Sequence, residues 1–167
     1  MSTLSASPSQ SDTNAVDAAR RELRFETMEN ILADAESIAA GPATTLGNWT
    51  AAQNIEHVRL LVHMSRVGAD FMMTWPVRVL GRLLKTRFLR SSFKPGLKTA
   101  DVFQPRADIT MDEAIAAFRT EIGLASEAGA MLETSHFLGK MTREEWVQLP
   151  CRHAEHHFGY VVGASSP

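Results

Sequence analysis

The chain has 167 residues, 44% of them apolar and 22% charged, with a formal net charge of −2 at neutral pH. This length supports one hydrophobic core without covalent staples, and the balance is that of a globular chain and not of a disordered or membrane-spanning one, with no global reason to expect nucleic acid or another acidic partner. Cys151 is the only cysteine, so no intramolecular disulfide forms and a reducing cytoplasmic location is expected.

Residues 1–14, MSTLSASPSQSDTN, are rich in Ser, Thr, Pro and Gln and carry neither a basic nor an apolar leader region. They predict a disordered tail and no export signal, which leaves 15–167 as one domain. From Ala15 to about Ala40, Leu23, Met28, Ile31, Leu32, Ala35 and Ile38 fall at helical spacing before Gly41-Pro42, predicting a first helix. Thr50 and Gln53 have the form of a capping box and open a second helix over roughly 51–73, with Trp75-Pro76 as its stop. Residues 77–90 place Val77, Leu80, Leu83, Leu84 and Phe88 on one face and basic residues on the other, a short amphipathic helix interrupted by Gly81. Residues 91–109 read as an irregular crossing. Thr110 with Glu113 opens a helix carrying Ile115, Phe118, Ile122 and Leu132, and Thr142 with Glu145 opens a last one running to about Val162. Pro150 inside it predicts a bend or a restart. No strand alternation and no apolar run of membrane-spanning length occurs. The pattern predicts an all-α four-helix bundle with a long basic connection, 74–109, between its second and third helices.

Three of the six histidines lie in the segment CRHAEHHFGY. Residues four apart share a helix face, so His153 and His157 aim at one point, while His156 points about 100° away. Two imidazoles leave a divalent transition-metal site incomplete. His57 lies two turns into the second helix beside Ile55, Val58 and Val62, and is better placed than His63 to supply a third ligand. A facial set of three suits Zn²⁺, Ni²⁺ or Fe²⁺, with water in an open position. The plainer alternative is a hydrogen-bonded helical pair with no metal. Glu56 and Glu155 read as solvated helix charges, and Cys151 as a small buried apolar residue.

Gly47 to His57 (GNWTAAQNIEH), His136 to Trp146 (HFLGKMTREEW) and Arg152 to His157 (RHAEHH), together with Trp75-Pro76-Val77 and the basic connection, resemble the DinB/YfiT-like superfamily of metalloproteins, and within it an uncharacterised bacterial branch. The resemblance covers most of the chain after the tail. It implies a DinB-like helical bundle in which His57, His153 and His157 bind one divalent metal. The branch usually has His-Pro where this chain has His136-Phe137, so His136 is read only as a loop residue capping the end of the third helix.

The resemblance further implies a thiol-dependent transferase or isomerase, in which the metal activates a low-molecular-weight thiol. The alternative is a non-catalytic metal-binding or structural bundle, whose coordination would be closed by a fourth protein ligand such as His63 or Glu155. Residues 71–100 hold seven basic residues (Arg78, Arg82, Lys85, Arg87, Arg90, Lys94 and Lys98) and no acidic one, so the rest of the chain sums to −9. Such a segment can lie on an anionic surface, but the preferred expectation is an apolar face packed on the bundle with solvated charges. A homodimer is expected on the frequency of two-fold assemblies.

Overall fold

The computed structural model describes residues 18–68, 74–91, 93 and 100–163. The predicted tail, 1–14, lies outside them. The chain is mostly helical: α1 (Met28–Ala40), α2 (Ala51–Val67), α3 (Trp75–Arg90), a short 3-10 turn (Asp101–Phe103), α4 (Met111–Ser126) and α5 (Arg143–Gly159). Four two-residue strands, β1 (Thr44–Thr45), β2 (Thr134–Ser135), β3 (Gly139–Lys140) and β4 (Val161–Val162), form two antiparallel pairs, β1 with β4 and β2 with β3. No helix among the described residues is long and apolar enough to cross a membrane.

Helices α1 and α2 each pack against both α4 and α5, which makes these four the bundle, and α3 lies against α5 and β3. The bundle core is aliphatic and aromatic: Ile31, Ile38, Ile55, Val58, Val62, Phe118 and Phe158 are all fully buried. A second cluster, with Leu89, Leu138, Met141, Trp146 and Leu149 at its centre, joins α3 to α5 and to the β2–β3 hairpin.

Each bundle helix starts at a threonine whose hydroxyl accepts the backbone N–H three residues on, while that residue's side chain accepts the threonine N–H. The Thr50–Gln53, Thr110–Glu113 and Thr142–Glu145 boxes stand where the sequence places them. The fourth, Thr27–Asn30, explains a correction: the helix predicted from Ala15 to Ala40 is not continuous, since residues 18–19 are helical, 20–27 are not, and the bundle helix begins at Met28. Ahead of it, residues 20–27 run along α5 as a strap. Arg21 N–H donates to Gly159 O at 3.0 Å, and the Arg21 guanidinium grips both Asp34 oxygens at 2.9 and 2.7 Å.

The second helix ends at Val67 instead of running to 73, because Gly68 adopts φ 83° and turns its N–H back to Met64 O at 3.0 Å. Glycine takes that conformation without a steric penalty. Residues 69–73 lie outside the description. Trp75-Pro76 opens α3, proline being tolerated in a first turn where its missing N–H is not needed. Leu132 falls beyond α4, which stops at Ser126, and the Leu132 N–H donates to Ser65 O at 2.9 Å. Helix α5 passes through Pro150 without a restart and ends at Gly159, after which Val161 and Val162 pair with β1. His136 caps no helix. It lies exposed in the β2–β3 loop, and Arg143 donates to the carbonyls of Ser126 and Glu127 at the end of α4.

Candidate metal centre

His57 is the seventh residue of α2, and its face is set by the Thr50 cap and by buried Ile55 and Val58 on the same turns. His153 and His157 stand four residues apart on α5. Packing of α2 on α5 brings the three together: one ring nitrogen from each lies within 4.8 Å of the others, and the ring centroids are 4.7, 4.3 and 4.5 Å apart. His57 and His153 are buried, whereas His157 is only partly so, and the cluster meets solvent on its side.

The His57 Nδ1 lies 2.6 Å from the carbonyl oxygen of Phe103, in the 3-10 turn. A carbonyl only accepts, so Nδ1 carries the proton and Nε2 presents its lone pair. This is the arrangement by which an outer carbonyl fixes the tautomer and aim of a ligating imidazole. The Nδ1 of His153 is buried with no hydrogen-bond partner among the described residues, a costly arrangement for a polar atom unless a ligand engages the ring. Burial lowers the pKa of His57 despite the Phe103 hydrogen bond. Burial, then the neighbouring imidazoles, holds His153 and His157 well below the ordinary histidine value. All three are therefore neutral near pH 7, the form that donates a lone pair to a cation. The donor set fits a borderline divalent metal.

Aromatic side chains surround the cluster. Trp49, just before the α2 cap, stacks on His157 at 5.6 Å and lies 4.7 Å from His57. Phe93 meets His153 edge-on at 5.2 Å, and Phe103 approaches His57 at 6.4 Å. Sequence reasoning missed all three. Only Trp49 carried a local signal, as an apolar residue preceding a helix cap.

The remaining candidates lie elsewhere. His156 is buried beside His157 and Tyr160, and its carbonyl accepts from Arg20 at 2.9 Å. His63 is turned to Glu121 at 3.0 Å, where Arg66 also binds at 2.6 Å. Glu56 and Glu155 are not solvated, contrary to expectation. Glu56 is buried and takes both its hydrogen bonds from Arg59, at 2.7 and 2.9 Å. Glu155 is buried against Arg152 at 2.9 Å and accepts the Phe25 N–H at 2.8 Å. With Glu121 holding His63 and the strap holding Glu155, neither residue closes the triad, and among the described residues the cluster has three members. Cys151 is fully buried, and burial followed by the Glu155 charge pushes its thiol up to about 12, so it is a packing residue and not a nucleophile.

Searches of curated proteins and of solved structures gave no match. A family model described as "Protein of unknown function (DUF1569)" matches residues 17–164, a span that holds all three histidines and every helix of the bundle, and the chain therefore belongs to the DUF1569 family.

Proposed function

We propose that His57, His153 and His157 are the ligands of one divalent transition metal, Zn²⁺, Ni²⁺ or Fe²⁺, in a single DinB/YfiT-like domain spanning 15–167. In this reading the chain is a cytoplasmic homodimer and a thiol-dependent transferase or isomerase. The observation that carries the metal assignment is the convergence of three neutral imidazoles from two helices, with the two alternative ligands named from the sequence, His63 and Glu155, engaged elsewhere. When bound, such a cation lowers the pKa of a coordinated thiol or water and so supplies a nucleophile at neutral pH.

The protein's own contribution is positional. The Phe103 carbonyl holds the His57 proton on Nδ1 and keeps Nε2 aimed inward. Trp49, Phe93 and Phe103 surround the cluster with apolar rings and favour a ligand with an apolar body. No protein nucleophile is assigned, which agrees with the protonated, buried Cys151. Three ligands in a cluster whose His157 is only partly buried favour this reading over a closed structural site.

The test is elemental analysis of protein purified without a histidine tag and reconstituted in turn with zinc, nickel and iron, alongside folded His57→Ala and His153→Ala variants. One metal per chain, lost in both variants, is expected. Failure of all three metals to bind the wild-type chain would overturn the assignment. If metal binds but thiol-transfer assays with common low-molecular-weight thiols show no turnover, the site is non-catalytic.

A further inference from the structure

Helix α3 packs only partly as its sequence pattern predicts: Leu84 and Phe88 are half-buried, Phe88 against Phe93 and Phe137, while Val77, Leu80 and Leu83 are exposed. The face turned to the bundle centres on Gly81, whose Cα lies so close to Phe137 that an added Cβ would meet the Phe137 carbonyl oxygen at 2.3 Å. Leu89 is buried on the same side, and Lys85 reaches Lys140 O at 2.5 Å and Glu145 at 2.6 Å. Much of the remaining apolar surface of α3 faces out. Trp75, Val79 and Leu83 recur every four residues, with Leu80 beside them, and Trp75 and Leu83 are 75% and 77% exposed. Arg87 and Arg90 continue this exposed stripe and Arg82 flanks it; among the described residues no carboxylate pairs with these three.

We propose that the outward face of α3 docks on a phospholipid bilayer bearing anionic headgroups. A helix of 16 residues, about 24 Å long, with Trp and Leu on its exposed stripe and arginines along it, has the make-up of one that lies in the interfacial plane. Tryptophan favours the headgroup level, and guanidinium groups bind phosphate oxygens in pairs. The charge distribution selects the occupant. Residues 71–100 carry seven positive charges and no negative one, against −9 for the rest of the chain. An anionic surface is thus repelled by the remainder of the molecule and attracted only here, which also fixes the orientation. A second copy docked face to face would bring arginines to a helix that has no carboxylate to receive them. The proposal is independent of the metal reading.

The experiment is co-sedimentation of the full chain with phosphatidylcholine vesicles and with mixed phosphatidylcholine–phosphatidylglycerol vesicles over a range of salt, with light scattering of the free protein. Retention by the mixed vesicles alone, weakening as salt rises, is expected. Removing two surface charges in Arg87→Gln/Arg90→Gln should reduce partitioning about thirtyfold, and Leu83→Glu should abolish it, with the far-ultraviolet circular dichroism of both variants unchanged. No retention by mixed vesicles at low salt overturns the proposal, as does equal retention by both vesicle types. A dimer that Leu83→Glu converts to monomer, without vesicle binding by either form, makes the face a contact between copies and also overturns it.

Discussion

Glu155→Gln tests whether the strap and α5 are locked by a buried charge. The carboxylate and Arg152 are 2% and 3% exposed and 2.9 Å apart, and the second partner of Glu155 is the Phe25 N–H at 2.8 Å. Glutamine keeps the shape and an oxygen at the Oε1 position, which faces both the Phe25 N–H and Arg152, but removes the negative charge that offsets the Arg152 guanidinium in a dry environment, leaving it neutral acceptors only, the Phe25 carbonyl among them. Removing one partner of a buried pair costs about 3–5 kcal/mol; Arg24, 4.0 Å from Glu155 but 65% exposed, offers little compensation because its charge is screened by water. Since one hydrogen bond to Arg152 survives, the lower end, about 3 kcal/mol, is expected. Urea unfolding followed by circular dichroism reads this as a lower midpoint at unchanged slope. The double variant Arg152→Met/Glu155→Gln should be less destabilised than the sum of the two single changes, because no orphan charge remains. A loss below about 1 kcal/mol for Glu155→Gln would refute the buried-pair argument, as would additive single effects. Loss of metal from a folded Glu155→Gln protein would separately contradict the exclusion of Glu155 from the triad.

Two further outcomes follow from packing and burial. In an exposed helix, Gly→Ala gains about 1 kcal/mol, but at Gly81 the new Cβ meets a backbone oxygen at 2.3 Å and ring carbons at 2.6 Å. Overpacking of about 1–3 kcal/mol should outweigh that gain and speed hydrogen exchange across α3, whereas a raised Tm would contradict the contact. Cys151, held protonated to about 12, should resist a thiol reagent at pH 8 and react at once in denaturant. Its folded pKa exceeds the ordinary thiol value, so the stability it adds is complete below about pH 9 and is lost as pH rises from there towards 12. Rapid labelling of the native protein would show that the thiol is accessible.

What was legible in the sequence was local. Thr50–Gln53, Thr110–Glu113 and Thr142–Glu145 announce helix starts because a capping box is complete within four residues. His153 and His157 share a face because helical periodicity alone decides it, and His57 could be matched to them from the apolar residues beside it. Thr27–Asn30 escaped notice because asparagine stands where glutamate or glutamine is the usual signal, so the first helix was extended through the strap.

Tertiary structure decided what depends on distant partners. Glu56 and Glu155 have their arginine partners, Arg59 and Arg152, only three residues away, but that these pairs are buried, and that the Phe25 N–H reaches Glu155 from 130 residues away, depends on how the helices and the strap pack. The amphipathic pattern of α3 names an apolar face, but the closeness of Gly81 to Phe137 leaves Leu80 and Leu83 of that face in solvent while Phe88 packs on Phe137. Periodicity states which residues lie together on a helix, while the shape of the neighbouring surface determines which side is buried. The Phe103 carbonyl that orients His57 comes from 46 residues away, and a backbone oxygen leaves no mark in a sequence, since every residue has one.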